Sequence, residues 1–323
     1  MEISPLDRFR YAMEMTTARD PRVALAALDS RLNALLPPEY QNAYDDVQPV
    51  SMGSAPLKID ADGDVAWDEM WGSFCDLAMA GGPPHKGALL QPGTAAEIAA
   101  DPSRFAAVVN EIVRGIWMVS RLDAGASADA GWIRVECLSE AMAGWLLRAI
   151  VMENVAVRGG VTAIGLPAAP AFRLEKEIKN VITVVAKTTH YWLGHMMAGQ
   201  QRAIGRLLAA MEARTPLVEP AIAGDDEDAA REQALSMRIA EQVAHDTGLR
   251  GSGTRYFGWL GLECPSVRVA IWLMRALVVS NVLARREGTS LFVPVNPETD
   301  PDGERVTSTV ADVHRLAVIR LQL

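Results

Sequence analysis

Cysteines and long apolar runs are scarce in this chain. Its 323 residues include only three cysteines, widely spaced and without a CxxC pair. That pattern argues against a disulfide framework and a cysteine-based zinc site, and it is typical of a reducing compartment. The two most apolar segments, 145–157 and 269–284, are interrupted by charged residues and are too short to span a membrane. Because the N-terminus also lacks the layout of a signal peptide, we expect a cytoplasmic protein with no membrane partner.

Basic residues and familiar catalytic motifs are also few. Lysine and arginine number 31 against 40 aspartates and glutamates, which leaves a formal net charge of −9. Nucleic-acid binders need a concentrated basic surface, so nucleic acid is not an expected partner. The chain contains no Walker motif, no GxGxxG fingerprint and no GxSxG nucleophile motif. The remaining composition, 50% hydrophobic and 22% charged, is that of a folded globular protein and indicates no particular cofactor.

A duplicated segment is the most informative feature that is present. Residues 131–170 align with residues 258–297 without a gap, at an offset of 127, and 17 of the 40 positions are identical. Composition does not readily explain tryptophan, cysteine, asparagine and proline residues that match in register. We therefore interpret the alignment as an internal repeat. A fainter third copy is predicted at residues 67–92.

Each copy is interpreted as a strand, a helix, a strand and a further helix. The runs "WIRVEC" and "WLGLEC" are predicted strands, Ser139 and Ser266 are predicted helix N-caps, and "VTAIGLP" and "TSLFVP" are the returning strands. The helix after Ser139 is expected to reach about Val157 and to be stopped by Gly159 and Gly160. A strand, helix, strand unit of this length normally has parallel strands joined by a right-handed crossover.

The predicted fold class is α/β, helix-rich, with repeated strand-helix-strand-helix units around a pseudo-symmetry axis. A mainly helical protein with short strands is the alternative. The predicted parts, packed as one compact domain, are an N-terminal helical segment, a first repeat, a second repeat, an acidic helical insertion and a third repeat, at residues 1–50, 51–122, 123–213, 214–252 and 253–323.

Single helices are predicted within these parts from apolar periodicity and capping residues. The first repeat should contain a helix from about Val65 to Met79 between the strands "PLKID" and "ALLQP". Ser4-Pro5 and Asp20-Pro21 should each begin an N-terminal helix. The helices that follow the three repeats are predicted at 103–122, 174–213 and 305–323.

Two duplicated charge pairs have a structural interpretation. Arg148 and Arg275 lie in apolar helices, and Glu136 and Glu263 end the strands that precede them. A charge in a buried helix is tolerated when it is paired, so we expect Glu136–Arg148 and Glu263–Arg275 pairs. The asparagines and arginines shared by the two helix ends are expected to cap exposed carbonyls.

One helix carries the candidate catalytic residues. In "NVITVVAKTTHYWLGH", polar residues recur every three or four positions on a helix rich in valine and isoleucine, and such a stripe could line a pocket. Lys187, His190 and Tyr191 are the predicted catalytic residues, and Asn180 and Thr183 are predicted to bind substrate. The alternative is that the stripe is the solvent side of an ordinary amphipathic helix.

Other candidates lie outside this helix. His85 and Lys86 in the loop "AGGPPHKG" could bind an anionic substrate, although a simple turn with solvated side chains is the alternative. Cys137 and Cys264 precede helix N-termini, where the dipole could lower a thiol pKa; small buried packing residues are the alternative.

No metal site is predicted. His190 and His195 are five residues apart, which on an α-helix turns them roughly 140° away from each other. The sequence thus predicts a cytosolic enzyme that acts on a small anionic metabolite by acid–base chemistry at the interface between repeats, and a homo-oligomer. The alternative is a non-catalytic oligomeric scaffold or cofactor-binding assembly factor, since 14 methionines and eight tryptophans also suit association surfaces.

Overall fold

The structure is a computed structural model that describes residues 20–41, 56–72, 74–222 and 226–322. The α-helices in these ranges are α1 (Pro21–Leu35), α2 (Ala95–Ala100), α3 (Pro102–Ser120), α4 (Glu140–Met152), α5 (Lys179–His190), α6 (Ala198–Arg214), α7 (Asp226–Thr247), α8 (Val267–Val278) and α9 (Glu304–Leu321). The strands are β1 (Ala124–Ala126), β2 (Trp132–Glu136), β3 (Arg158–Gly159), β4 (Ala163–Pro167), β5 (Arg250–Gly251), β6 (Trp259–Glu263), β7 (Arg285–Glu287) and β8 (Ser290–Pro294). The fold is thus mixed and helix-rich, as predicted.

The strands form two four-stranded sheets with the orders β1-β2-β4-β3 and β5-β6-β8-β7. Every neighbouring pair is antiparallel, so the prediction of parallel strands is wrong. The reason is a short strand that the sequence reading assigned to the helix end. After helix α4 the chain forms β3, which runs in the same direction as β2 but is not its neighbour in the sheet. The chain then reverses and forms β4, which lies between β2 and β3 and is antiparallel to both.

The two sheets share their register. Trp132 faces Pro167 across β2 and β4, and Trp259 faces Pro294 across β6 and β8, an offset of 127 residues in both strands. The helices between the paired strands, α4 and α8, begin as predicted, because the Ser139 and Ser266 hydroxyls accept the N–H of the residue three positions on. We refer to residues 124–167 as the first unit and to residues 250–294 as the second unit.

Both central helices end earlier than predicted. Helix α4 ends at Met152, and the chain reverses at Asn154, whose φ is 62°; Asn281 has a φ of 58° after α8. Asparagine tolerates this left-handed conformation better than most residues. Gly159 and Gly160 therefore do not stop the helix but belong to β3 and the turn that joins it to β4.

A short segment of chain that precedes each unit in sequence packs against it, and we call this segment a strap. In the first strap, residues 88–93, the Leu90 N–H donates to the Asn154 carbonyl at 2.9 Å. In the second strap, residues 216–221, the Val218 N–H donates to the Asn281 carbonyl at the same distance. Each strap thus lies along the residues that follow a central helix, at the boundary between the two units.

The predicted first repeat is not formed as expected. The described part of 65–79 contains no α-helix but two 3₁₀ turns, at Trp67–Glu69 and Ala78–Ala80. The predicted strand "PLKID" contributes only an isolated bridge between Ile59 and Val65, and "ALLQP" is part of the first strap. Prolines, glycines and isolated apolar residues here pack onto the common core without regular structure.

Most other predicted helices are present. Helices α3, α7 and α9 correspond to predictions, and α1 begins at its Asp20 cap, whose carboxylate accepts the Arg22 N–H. The predicted helix at 174–213 is instead interrupted by two π-helical turns, Leu174–Ile178 and Tyr191–His195. The N-terminal helix predicted at Ser4 lies outside the described residues. In the part of the chain that the structure describes, no helix is both long and apolar enough to cross a membrane.

The core is continuous across both units. One cluster of buried apolar residues extends from α1 to α9, with α4 and α8 at its centre. Trp145 of α4 packs against Trp192, with ring centroids 5.5 Å apart, and donates its indole N–H to the Leu35 carbonyl at 2.8 Å. The units therefore fold against each other, and any site between them is fixed by one core.

Candidate functional site

Lys187 lies in a buried ion pair. Its Nζ is 2.9 Å from Glu153 Oε1, and both side chains are 0% exposed. The ammonium also donates to the Asp76 carbonyl at 2.8 Å and to Cys75 Sγ at 3.3 Å. An ammonium has three N–H donors, so these three acceptors use all of them.

The charges around Lys187 favour a structural role for this side chain. Burial lowers the pKa of Lys187, but the Glu153 carboxylate and the Cys75 sulfur outweigh it, and the pKa is raised above its ordinary value. The amine therefore stays protonated at neutral pH. Its side chain has no exposed surface, and its contacts hold α5 against the end of α4, while its catalytic role stays a prediction.

His85 and Asn180 complete the same cluster. Glu153 Oε2 accepts the His85 backbone N–H at 2.8 Å, and Oε1 accepts the Ala78 N–H at 3.0 Å. The His85 ring reaches Asn180, with Nε2 and Oδ1 3.0 Å apart. Burial lowers the pKa of His85 to about 4, so the ring is neutral at physiological pH. Three predicted site residues are thus brought together, but around an internal carboxylate that the sequence reading did not single out.

The remaining predicted residues of this helix lie elsewhere. Tyr191 is buried, and its hydroxyl is 2.8 Å from that of Tyr40, which donates to Asp76 Oδ1 at 2.7 Å. Thr183 donates to the Lys179 carbonyl of its own helix at 2.6 Å. His190 is exposed at the C-terminal end of the helix.

Lys86 is half-buried. Its backbone N–H donates to the Glu153 carbonyl at 3.2 Å, and its carbonyl accepts from Asn154 at 2.8 Å. Among the described contacts, the Lys86 side chain makes none with His85, although a shared anion site would require the two side chains to lie together. Burial lowers the pKa of Lys86, and Lys176 adds to this effect.

The predicted charge pairs are not the contacts observed. Glu136 is paired with Arg134 at 2.6 Å on the surface, and not with Arg148. Glu263 accepts the Ser290 hydroxyl at 2.5 Å. The strands end with their glutamates on the solvent side, whereas Arg148 points into the core. Arg275 is also buried, whereas Glu263 is exposed at the end of its strand.

Buried arginines connect the two units through the duplicated asparagines. Arg148 of the first unit donates to Asn281 Oδ1 of the second at 2.7 Å, and Arg285 of the second unit donates to Asn154 Oδ1 at 3.2 Å. The asparagines do more than end their helices: Asn154 also donates to the Arg286 carbonyl at 2.8 Å. Burial lowers the pKa of Arg148 to about 10, yet it remains protonated at neutral pH. The match of asparagine and arginine in the alignment was the available signal for this contact.

Neither candidate thiol is activated. Burial raises the pKa of Cys137 to about 12, and the neighbouring Glu136 adds to the effect. Burial, with Glu263, raises the pKa of Cys264 in the same way to about 12. With these raised pKa values both thiols are protonated at neutral pH, which favours the packing alternative.

A cleft of about 1320 Å³ lies between the two units. Its walls come from the face of the first sheet, both straps and the loop after β8. They include aromatic and charged residues of both units, among them Trp132, Arg134, Arg158, Glu219, Trp259 and Asn296. The volume exceeds the roughly 300–1,000 Å³ typical of small-molecule pockets, so a small ligand would fill only part of the cleft.

One wall differs between the units because of a single small residue. The Arg158 guanidinium lies 4.8 Å from the centre of the Trp132 ring and pairs with Asp129, and Gly165 leaves room for its side chain beneath the cleft. At the corresponding position of the second unit, Phe292 lies 4.0 Å from the guanidinium of Arg285. Arg285 is completely buried, while Arg158 stays partly exposed. Only the first unit therefore presents its arginine at the cleft.

Glu219 of the second strap is an ionisable group of the same cleft, and its carboxylate lies against Gly159, the neighbour of Arg158 in the chain. Burial raises its pKa, although the hydrogen bond from Gly159 N–H at 2.9 Å and the charge of Arg148 work against this effect. A carboxyl group with a raised pKa is suited to proton transfer. The corresponding residue of the first strap is Gln91, which cannot ionise.

The sequence reading missed this cleft because its residues are far apart in the chain. Glu219 stands in a segment interpreted as insertion, and Arg158 was assigned to a helix end. Among the described residues, no group of three or more histidine, cysteine, aspartate or glutamate side chains is placed to hold a metal ion. Comparisons with known proteins found no matching family model, no matching curated protein and no matching solved structure.

Proposed function

We propose that this protein is an enzyme that binds a small anionic metabolite in the cleft between its two units and acts on it by acid–base chemistry. The observation that carries the proposal is the presence, in one cleft, of a partly exposed arginine and a carboxyl group with a raised pKa. Arg158 binds the anion, and Glu219 transfers the proton. These residues take the parts that the sequence assigned to Lys187 and His190.

Arg158 is suited to an anionic ligand. Its Nη2 atom donates to Ser127 Oγ at 2.9 Å and pairs with Asp129, and its Nε lies over Gly165 on the cleft wall. The indole of Trp132 supports the guanidinium from behind, which reduces the entropy lost when a ligand binds. A carboxylate or phosphate then meets a fixed planar donor, the geometry that arginine recognises best.

Glu219 supplies the proton. Because its pKa is raised, more of the carboxyl group is protonated near neutral pH than for a solvated glutamate, and it can both donate and accept. The strap holds its backbone, and the Gly159 N–H holds one of its oxygens. The substitution Glu219→Gln changes only the ability to ionise and places there the residue type of the first strap, Gln91.

The test is a thermal-shift screen with a library of carboxylate and phosphate metabolites, followed by calorimetry and turnover measurements on the ligands found. We expect Arg158→Gln to weaken binding at least about tenfold, because it removes a charged hydrogen bond. Arg250→Gln, an exposed arginine outside the cleft lining, is the matched control and should leave binding unchanged. Glu219→Gln should retain binding and lose turnover.

A second variant tests the shape of the cleft. Gly165→Phe introduces the residue that closes the arginine off in the second unit and should abolish binding in a protein that is still folded by circular dichroism. Ligands whose affinity is the same in wild type, Arg158→Gln and Gly165→Phe would place the site elsewhere and refute the proposal.

The remaining predictions from the sequence concern the repeat, the location and the partners of the protein. We infer that the two units are copies related by a pseudo-symmetry axis, which the shared strand order and register support. We also propose a cytoplasmic homo-oligomer that binds neither nucleic acid nor membranes. Sedimentation at several concentrations tests the oligomer. Stable association without any ligand or turnover would favour the non-catalytic scaffold.

A further inference from the structure

The end of helix α5 contains a pair of histidines that the sequence pattern did not predict to meet. The chain continues from α5 into the π-helical turn Tyr191–His195, in which hydrogen bonds skip five residues and not four. This wider turn brings residues five apart onto one side. The Nε2 atoms of His190 and His195 are consequently only 3.0 Å apart, where an α-helix would have separated them.

From this geometry we infer that His190 and His195 form a binding site for a divalent late transition-metal ion, of the Ni²⁺ or Cu²⁺ type. The two imidazoles would be neighbouring ligands, and water would complete the coordination. The inference concerns a surface outside the cleft, so it does not depend on the proposed function.

Two distances support the inference. With metal–nitrogen bonds of about 2.1 Å, two nitrogens at a right angle are about 3.0 Å apart, and ring centres about 1.2 Å behind them are about 4.7 Å apart. The observed separations are 3.0 Å for the Nε2 atoms and 4.7 Å for the ring centroids. Rings that pointed straight at each other across 3.0 Å would have more distant centres. The nitrogens therefore converge on a point beside the line that joins them.

The angle also indicates which ions fit. A right angle between neighbouring ligands is found in square-planar and octahedral coordination, whereas tetrahedral zinc needs a wider separation of about 3.4 Å. Ni²⁺ and Cu²⁺ prefer the first two geometries and imidazole ligands. Both side chains are accessible, which leaves room for water at the remaining positions.

Glu39 orients one of the two ligands. Its Oε1 lies 2.6 Å from His195 Nδ1, so the carboxylate holds the proton on Nδ1 and leaves the Nε2 lone pair free to bind an ion. Carboxylates that bind the far nitrogen of a metal-ligating histidine in this way are common, and they increase metal affinity.

In the absence of metal the two nitrogens share a hydrogen bond. The His190 ring donates its Nε2 proton to His195. When the ion binds, that proton moves through solvent to Nδ1 of His190, so both Nε2 lone pairs reach the metal and both rings stay neutral. Two histidines without a further protein ligand predict moderate affinity and a stoichiometry of one ion per chain.

The experiment is calorimetric titration of tag-free, full-length protein with Ni²⁺ at neutral pH. We expect one site in the wild type, loss of at least about tenfold in affinity for His190→Ala and for His195→Ala, and a smaller, up to about tenfold loss for Glu39→Gln. His245→Ala is the matched control, because His245 also has a carboxylate on Nδ1, 2.8 Å away in Asp246, and lies outside this pair.

A second measurement reports the ligands directly. The electron paramagnetic resonance spectrum of the Cu²⁺ complex should show coupling to two nitrogens in the wild type and to one in either single variant. Circular dichroism verifies that the variants are folded. Equal affinity in the wild type and in the His190→Ala/His195→Ala double variant, or a Cu²⁺ spectrum unchanged by both substitutions, would overturn the inference.

Discussion

The buried pair of Lys187 and Glu153 allows a sharp test of whether the lysine is structural. In Lys187→Met the ammonium is replaced by an apolar side chain of similar length. Glu153 keeps the N–H groups of Ala78 and His85 as partners but loses its ion-pair partner, and the more distant charge of Arg286 still acts on it. A carboxylate then remains in a fully buried place without a direct ion-pair partner.

The expected cost follows from that environment. Removing one partner of a buried ion pair typically destabilises a protein by about 3–5 kcal/mol, because the remaining charge is uncompensated. We expect Lys187→Met to lower the free energy of unfolding by about this amount. The double variant Lys187→Met/Glu153→Gln should lose less than the sum of the single variants, with a coupling of about 2 kcal/mol, since no buried charge remains.

The assay is urea denaturation at pH 7, followed by circular dichroism. Lys176→Met is the matched control in the same segment: its side chain is 58% exposed and lies 3.9 Å from Glu177, a surface pair expected to matter by less than about 0.5 kcal/mol. If Lys187→Met were as stable as Lys176→Met, the buried pair would not exist. Activity lost without a loss of stability would restore Lys187 as a catalytic residue.

Two further predictions concern the asparagine turn and the neutral histidine. Asn281→Ala and Asn281→Gly both remove the acceptor of Arg148, but only alanine is strained by the positive φ of 58°. The alanine variant should therefore be less stable than the glycine variant by about 1 kcal/mol in urea denaturation. Equal stabilities would contradict the left-handed turn. The pKa of His85 falls from 6.5 to about 4 on folding, so its contribution to stability is present above pH 6.5 and is lost as the pH falls toward 4. Between pH 7 and 4.5, the unfolding free energy of the wild type should therefore fall more steeply than that of His85→Gln, by up to about 1.4 kcal/mol per pH unit. Parallel curves for the two proteins would show that the ring is solvated.

Local patterns predicted the elements well. The alternation of "WIRVE" and "WLGLE" and the serines at 139 and 266 are local signals, and the structure confirms strands and N-caps at those positions. The predicted helix from 65 to 79 failed because apolar residues there pack individually on the core, and no capping pattern supported it. The two-residue strand β3 is too short to have a periodicity, and without it the sheet was expected to be parallel.

The candidate site was predicted in part. His85, Asn180 and Lys187 do meet, but the residue that joins them, Glu153, lies in the first unit at a position where the second has Ser280. A comparison of the two aligned segments for charged differences would have found it. Arg158 and Glu219 could not be paired from the sequence, since nothing local indicates that a strap crosses the end of a sheet 60 residues earlier.

The sequence by itself determined the strands, the capped helices and the matching segments, because hydrophobic periodicity and capping act within a few residues along the chain. Only the tertiary structure decided the order of the strands, the partner of Lys187 and the cleft between the units. Each of these depends on how distant segments compete for the same core, and a pattern read over one helix or strand does not contain that competition.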